Sequence, residues 1–198
     1  MDSPPPPIDA WQPMTVPEAQ ATFSKLGVPW WVAGGWALDL YLGRQTRVHH
    51  DIDVAVLRGD ESALGLLRPD FEIFVAHEGE LTPWSGEPLP EERHQFWMAR
   101  REAWRCEVLL EQHDGLAWGF RRDTSITLPL NEFGAVTTTG IPIVAPKVAL
   151  LYKANGHEIE RNALDFRTVL PALDLIDRLW LREALTAVYR THPWIDEL

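Results

Sequence analysis

Trp31-Val-Ala-Gly-Gly-Trp-Ala-Leu-Asp-Leu-Tyr-Leu-Gly-Arg-Gln-Thr-Arg-Val-His-His-Asp-Ile-Asp-Val-Ala-Val56 is the stretch on which the reading of this chain turns. A short β-rich run, Trp30 to Ala33, meets the glycine pair Gly34-Gly35, and a brief helical segment from Trp36 to Leu42 closes at Gly43. A polar loop, Arg44 to His50, then delivers the chain into an apolar strand expected over Ile52 to Leu57. Strand side chains alternate faces, so Asp51 and Asp53 project one way while Ile52 and Val54 project the other. Two carboxylates held side by side repel each other and are costly to dehydrate, and a divalent cation between them meets that cost. Metal beside a glycine turn points to phosphate chemistry.

Working outward, a third acidic ligand would complete a two-metal site. Arg105-Cys-Glu-Val-Leu-Leu-Glu111 offers two candidates. Glu107 is a polar position at the start of an apolar strand and is favoured; Glu111 shares its face four residues on. Gly34 and Gly35 allow close approach of a phosphate to exposed backbone amides, or simply make a tight turn. They form neither a dinucleotide fingerprint nor a Walker A loop. Arg44, Arg47 and His49 crowd the approach to the carboxylates, with His50 beside them. Either they contact phosphate or they neutralise the acidic pair. Phe120-Arg-Arg-Asp123 is a second cationic cluster, and Lys147 and Lys153 lie on a helix further on; Lys153 either reaches a triphosphate as a point charge or lies at the surface.

The rest of the sequence sets the frame. At 198 residues with 45% apolar content, the chain suffices for one domain with a small helical addition. Its ten tryptophans are expected mainly in the core, with some lining a cleft. The formal charge of −11, from 29 acidic and 18 basic side chains, disfavours nucleic acid and mildly favours a cationic partner. The single Cys106 excludes an internal disulfide and a cysteine-rich metal site. No apolar run is long enough to span a bilayer and no signal-peptide pattern is seen, so no membrane partner and a cytoplasmic location are expected.

Residues 1–13, with four consecutive prolines, read as a loose arm that neither forms a helix nor joins a sheet. Residues 14–140 read as the main domain and 141–198 as a helical region. Thr15-Val-Pro-Glu18 is a capping box. Asp60 reads as the cap of a short helix, Phe71 to Ala76 as a strand, and Leu81 to Glu92 as a proline-rich loop. Gln95 to Arg100 and Cys106 to Glu111 read as a hairpin. Three helices, Lys147 to Asn155, Glu158 to Leu173 and Leu179 to Thr191, close the chain. The class is α+β.

With these residues in place, the run from Gly34 to Asp53 resembles the DNA polymerase β-type nucleotidyltransferases, most closely their aminoglycoside and lincosamide group. The glycine pair, Trp36, Gly43-Arg-Gln-Thr-Arg47, His49 and the Asp51/Asp53 pair carry the resemblance, with Phe120-Arg-Arg-Asp123, Lys153 and Asp165-Phe166 extending it. It implies a small mixed sheet flanked by helices, and a helical region completing an acceptor pocket. It further implies transfer of a nucleoside monophosphate, AMP first among them, from Mg- or Mn-bound ATP or another NTP to a hydroxyl, releasing pyrophosphate. The implied acceptor is a small hydroxylated molecule, such as an aminoglycoside- or lincosamide-like antibiotic. Asp51, Asp53 and Glu107 carry over as metal ligands, and Gly34 and Gly35 as neighbours of the triphosphate. Arg161-Asn162 stands where relatives often show a basic-acidic pair, and Glu107 is longer than the Asp many of them have. A non-catalytic nucleotide-binding module, and a transferase acting on protein or RNA, are the alternatives; the intact aspartates weigh against the first and the acidic charge against RNA.

Overall fold

Six strands form the sheet of the first unit, in the order β4-β3-β5-β6-β2-β1. They are β1 (Trp30–Val32), β2 (Asp53–Leu57), β3 (Glu72–His77), β4 (Glu80–Pro83), β5 (Gln95–Arg100) and β6 (Ala103–His113). The computed structural model describes residues 4–198. The first unit holds the chain up to Val32 together with His49–His113; the second holds Ala33–Val48 and Asp114–Leu198. This division at 32/33, 48/49 and 113/114 differs from a single boundary at 140. Contacts, not sequence order, decide it, because the chain leaves the first unit after β1 and returns for β2.

In the first unit β2 runs parallel to β6, while β1 with β2, β5 with β6, and β3 with both β4 and β5 are antiparallel. Helix α1 (Val16–Phe23) starts at the expected capping box. The Thr15 amide donates to Glu18 Oε2 at 2.7 Å, and the Glu18 amide donates to Thr15 Oγ1 at 3.3 Å. The β5–β6 hairpin turns through Arg101 and Glu102, at φ 54° and 62°. These are left-handed positions that glycine and asparagine usually occupy.

Two expectations change here. Within 81–92, residues up to Pro83 belong to β4, an edge strand that pairs with β3 from His77↔Glu80 to Phe74↔Pro83. A proline is tolerated there because an edge strand has one side that needs no donor. The segment Glu61–Leu67 is a 3-10 helix, and Asp60 makes no side-chain cap bond to it.

Of the arm, residues 1 to 3 lie outside the described residues. The described part is held along β6 rather than loose. Trp104 N donates to Ala10 O at 2.8 Å, and Gln12 N donates to Trp104 O at 3.0 Å. The Trp104 indole donates to Pro7 O at 2.9 Å. Proline cannot donate, but its carbonyl accepts, and Ala10 O and Gln12 N supply the ladder contacts. The ring of Trp11 packs at 5.0 Å from Trp97, which packs at 5.0 Å from the fully buried Trp104.

The second unit contains α2 (Gly34–Leu42), β7 (Ala117–Gly119), β8 (Thr127–Pro129), α3 (Leu130–Phe133), β9 (Gly134–Val136), β10 (Pro142–Val144), α4 (Pro146–Ala154), α5 (Glu160–Val169) and α6 (Leu175–Tyr189). The pairs β7–β8 and β9–β10 are antiparallel. Helix α4 is buried along most of its length and packs on α2, α5 and α6. Gly43 ends α2 at φ 66°, a left-handed cap suited to glycine. Asp174 caps α6 by accepting from Asp177 N at 2.8 Å. Among the described residues, no helix is long and apolar enough to cross a membrane.

Candidate active site

Register decides what stands beside the aspartates. Across the parallel β2–β6 pair the partners are Asp53↔Glu107 through to Leu57↔Glu111. Partners in a ladder project to the same face, so Glu107 stands beside Asp53, and Glu111 lies about 13 Å further along the strand. Glu107 N donates to Ile52 O at 3.0 Å, which continues the ladder past the start of β2. Ile52 and Val54 are fully buried on the opposite face, while Asp51, Asp53 and Glu107 are half-buried. Buried apolar neighbours thus fix which way the carboxylates point.

The electrostatics of Glu107 follow from this crowding. Burial first, and then repulsion from Asp53 and Asp51, raise its carboxyl to about 8, against a lowering hydrogen bond from Gln95. The Gln95 side-chain amide donates to Glu107 Oε2. Burial, followed by the same carboxylates, pushes the Cys106 thiol well up, so it stays neutral. Carboxylate oxygens are hard donors of the kind Mg2+ or Mn2+ takes, and three carboxylates on one face offer them. Among the described residues, no three acidic, histidine or cysteine side chains are gathered at metal-ligating spacing in this conformation.

The other residues singled out from the sequence lie mainly in the second unit. Gly34, at φ 61°, opens α2, a backbone conformation that strains any residue with a Cβ. Gly35 follows in the first turn, where helix amides lack intrahelical acceptors. Arg44 is exposed. Arg47 makes a forked pair with Asp165, Nε to Oδ1 at 2.8 Å and Nη2 to Oδ2 at 3.0 Å. Lys153 Nζ reaches the same carboxylate at 2.9 Å. Arg47 and Lys153 therefore converge on one buried aspartate. Burial alone would raise Asp165, but the Arg47 and Lys153 contacts outweigh it and hold its carboxyl below the ordinary range. Asn162, where relatives often carry a charge, donates to Gly156 O at 3.0 Å and accepts from Lys153 at 3.4 Å. His49 is half-buried where the chain re-enters the first unit. In the second cationic cluster, Arg122 donates to Tyr152 O at 2.8 Å, and Arg121 and Arg122 lie over the Tyr152 ring.

Two residues escaped the sequence reading. Asp39 is buried, and its carboxylate accepts from Thr46 N at 3.0 Å and from Thr46 Oγ1 at 2.5 Å, pinning the loop after α2. An aspartate inside the apolar run Trp36–Leu42 was the available signal. Gln95 had none, since only the β5–β6 register brings it to Glu107.

Comparison with known proteins bears on the fold. The solution structure of the antibiotic-resistance factor ANT(2'')-Ia superposes with a TM-score of 0.54 at 17% identity, covering 89% of this chain and 95% of that one. The lincomycin-bound lincosamide antibiotic adenylyltransferase LnuA gives 0.53 at 17% identity, covering 76% and 91%. The chain has the nucleotidyltransferase fold. Within it, residues 15–68 match the family model for aminoglycoside-2''-adenylyltransferase. A 2''-aminoglycoside nucleotidyltransferase of Klebsiella pneumoniae is 40% identical over 47 residues, 24% of this chain and 27% of that protein. The match thus spans about a quarter of the curated relative. The resemblance read from Gly34 to Asp53 to the aminoglycoside and lincosamide group is the one these comparisons return.

Proposed function

We propose that this protein transfers a nucleoside monophosphate, AMP, from a metal-bound NTP to a hydroxyl of a small acceptor and releases pyrophosphate. The acceptor class proposed is an aminoglycoside- or lincosamide-like antibiotic. The observation that carries the reading is the Asp53↔Glu107 register, which lines up a third carboxylate with the Asp51/Asp53 pair on one sheet face. The family match over 15–68 and the acidic net charge, suited to a cationic acceptor, support it.

In this reading Asp51, Asp53 and Glu107 would hold Mg2+ or Mn2+. An ion held there would supply positive charge to offset the triphosphate and would lower the pKa of the acceptor hydroxyl. Glu107 is the candidate general base. Gln95 donates to one of its oxygens and so fixes the carboxylate's orientation. As the acceptor oxygen bonds to phosphorus, its proton passes to Glu107 and the bond to pyrophosphate breaks. Gly34, Gly35, Arg44 and His49 are proposed as triphosphate neighbours on the strength of their places in the motif. Arg47 and Lys153 are proposed to act there with their charge already partly balanced by Asp165. The helical region after residue 140 is proposed to complete the acceptor pocket.

The test is a panel of aminoglycosides, lincosamides and hydroxylated metabolites incubated with the protein, Mg2+ and ATP or GTP. Pyrophosphate release and an adduct heavier by one nucleoside monophosphate are expected for a member of the panel. Asp51→Asn is expected to abolish both. Failure to bind any NTP with Mg2+ or Mn2+ would sink the enzyme reading.

A further inference from the structure

Helices α4 and α5 of the second unit carry Lys153 and Asp165, and residues 192–194 tie down the residue that follows each of them. Ala154, next to Lys153, accepts from His192 Nε2 at 3.1 Å. Phe166, next to Asp165, is stacked by Trp194, with 4.2 Å between ring centroids and 3° between planes. His192, Trp194 and Phe166 are all buried.

His192 holds both of its hydrogen bonds only as a neutral ring. Ala154 O is an acceptor, so Nε2 must carry the proton. The Trp194 backbone N–H is a donor 3.2 Å from Nδ1, so Nδ1 must be bare. A second proton would go to Nδ1 and set two donors against each other. That nitrogen also caps the 3-10 helix Pro193–Asp196, so losing the bond frees the start of the turn. Just before it, Arg190 sits at φ 55°, a left-handed position strained for a residue with a Cβ. Strain of this kind persists only while the surrounding contacts hold it.

The groups facing the ring oppose its protonation. From the α4–α5 loop, His157 packs at 4.4 Å and shares Ala154 O through its own Nδ1 at 3.2 Å. Glu158 lies 3.5 Å from that same nitrogen of His157. From α6, Tyr189 stands at 5.2 Å, its buried hydroxyl without a partner among the described residues. From α5 the packing passes through uncharged Phe166 to Trp194, whose ring lies 5.1 Å from His192. Arg190 and Asp196 are exposed and border a surface depression together with His192. Burial first, with the His157 charge adding to it, holds the His192 ring below its ordinary 6.5 against the opposing Ala154 carbonyl.

We infer that His192 is an acid-opened latch: neutral, it fastens the segment from His192 to Asp196 onto α4 and α5 at the residues flanking Lys153 and Asp165; protonated, it lets Trp194 leave Phe166. The closed form is fully favoured above 6.5, and its advantage is lost as pH falls below that value. His157 takes a proton on Nε2 while keeping its bond to Ala154, and its charge then delays opening.

Nuclear magnetic resonance on the whole chain, with 15N in histidine and tryptophan, tests it. The His192 ring is assigned by its loss in His192→Asn, and the Trp194 amide by its loss in Trp194→Phe. Above pH 6.5 the ring is expected as the Nε2–H tautomer, and below it ring and amide are expected to shift together with one midpoint. His157→Gln, which removes the neighbouring charge, is expected to move that midpoint up. In His192→Asn, Oδ1 stands where Nδ1 stood and does not titrate, so the Trp194 amide is expected to stay in place over the same range. An Nδ1–H tautomer, a ring that stays neutral until the whole chain unfolds, or a ring that titrates while the Trp194 amide stays still overturns the latch. So does an amide titration that persists unchanged in His192→Asn.

Discussion

Asp53 and Glu107 are register partners across the parallel pair β2–β6, and Gln95 on β5 reaches Glu107 from the other side. Trp97 is the β5 partner of Glu107, and Gln95, opposite Leu109, reaches the carboxylate diagonally on the same face. That contact makes Gln95 a positioning residue. Gln95→Ala is expected to lower pyrophosphate release by about 10- to 100-fold, as for loss of an outer-shell partner of a ligand. Asp53→Asn is expected to cost more than that. Single-turnover rates at saturating Mg2+ and ATP, with melting curves to confirm folding, check both.

Metal-free stability depends on the same carboxylates. A carboxyl raised on folding from 4.5 to about 8 binds its proton more tightly folded than unfolded. Its stabilising contribution is therefore full below 4.5 and is lost as pH rises toward and through about 8. In EDTA, melting temperature is expected to fall across that window, and Glu107→Gln to flatten the fall while removing activity. Added Mg2+ is expected to restore stability at high pH in the unsubstituted protein only.

Asp165 behaves oppositely. Its carboxyl is held low, so its contribution is present above the ordinary value of 3.8 and is lost as pH falls below it. Asp165→Asn leaves Arg47 and Lys153 without their shared counter-charge, and breaking a buried pair of this kind costs about 3 kcal/mol. Urea denaturation at pH 7 and pH 3 checks this: the difference between Asp165→Asn and the parent is expected to shrink at the lower pH.

The β5–β6 turn places Glu102 at φ 62°. Relieving a left-handed non-glycine residue is expected to stabilise the fold by about 1 kcal/mol, so Glu102→Gly should raise the denaturation midpoint.

The local signals in this sequence were strong where one short segment decides its own geometry. Thr15 and Glu18 cap α1 as their spacing requires, and Gly43 ends α2. The alternation around Asp51-Ile52-Asp53 put the carboxylates on one face, because strand period is a property of the backbone alone. The arm departs from the expected loose segment for the complementary reason. Proline content describes what a segment cannot donate, and says nothing of the Trp104 groups that bond to Pro7 and Ala10. Residues 81–83 likewise joined a strand because β3 offered them a partner.

By itself, the sequence determined the paired aspartates, the glycine turn before them, the helix caps and the nucleotidyltransferase resemblance, all of which depend on residues close together in the chain. Tertiary structure alone decided that Glu107 rather than Glu111 stands beside Asp53, that Gln95 holds it, and that Arg47 and Lys153 meet on Asp165. The physical reason is register: a shift along β6 leaves its apolar pattern intact, and only hydrogen bonding to β2 and β5 fixes which carboxylate arrives at the site.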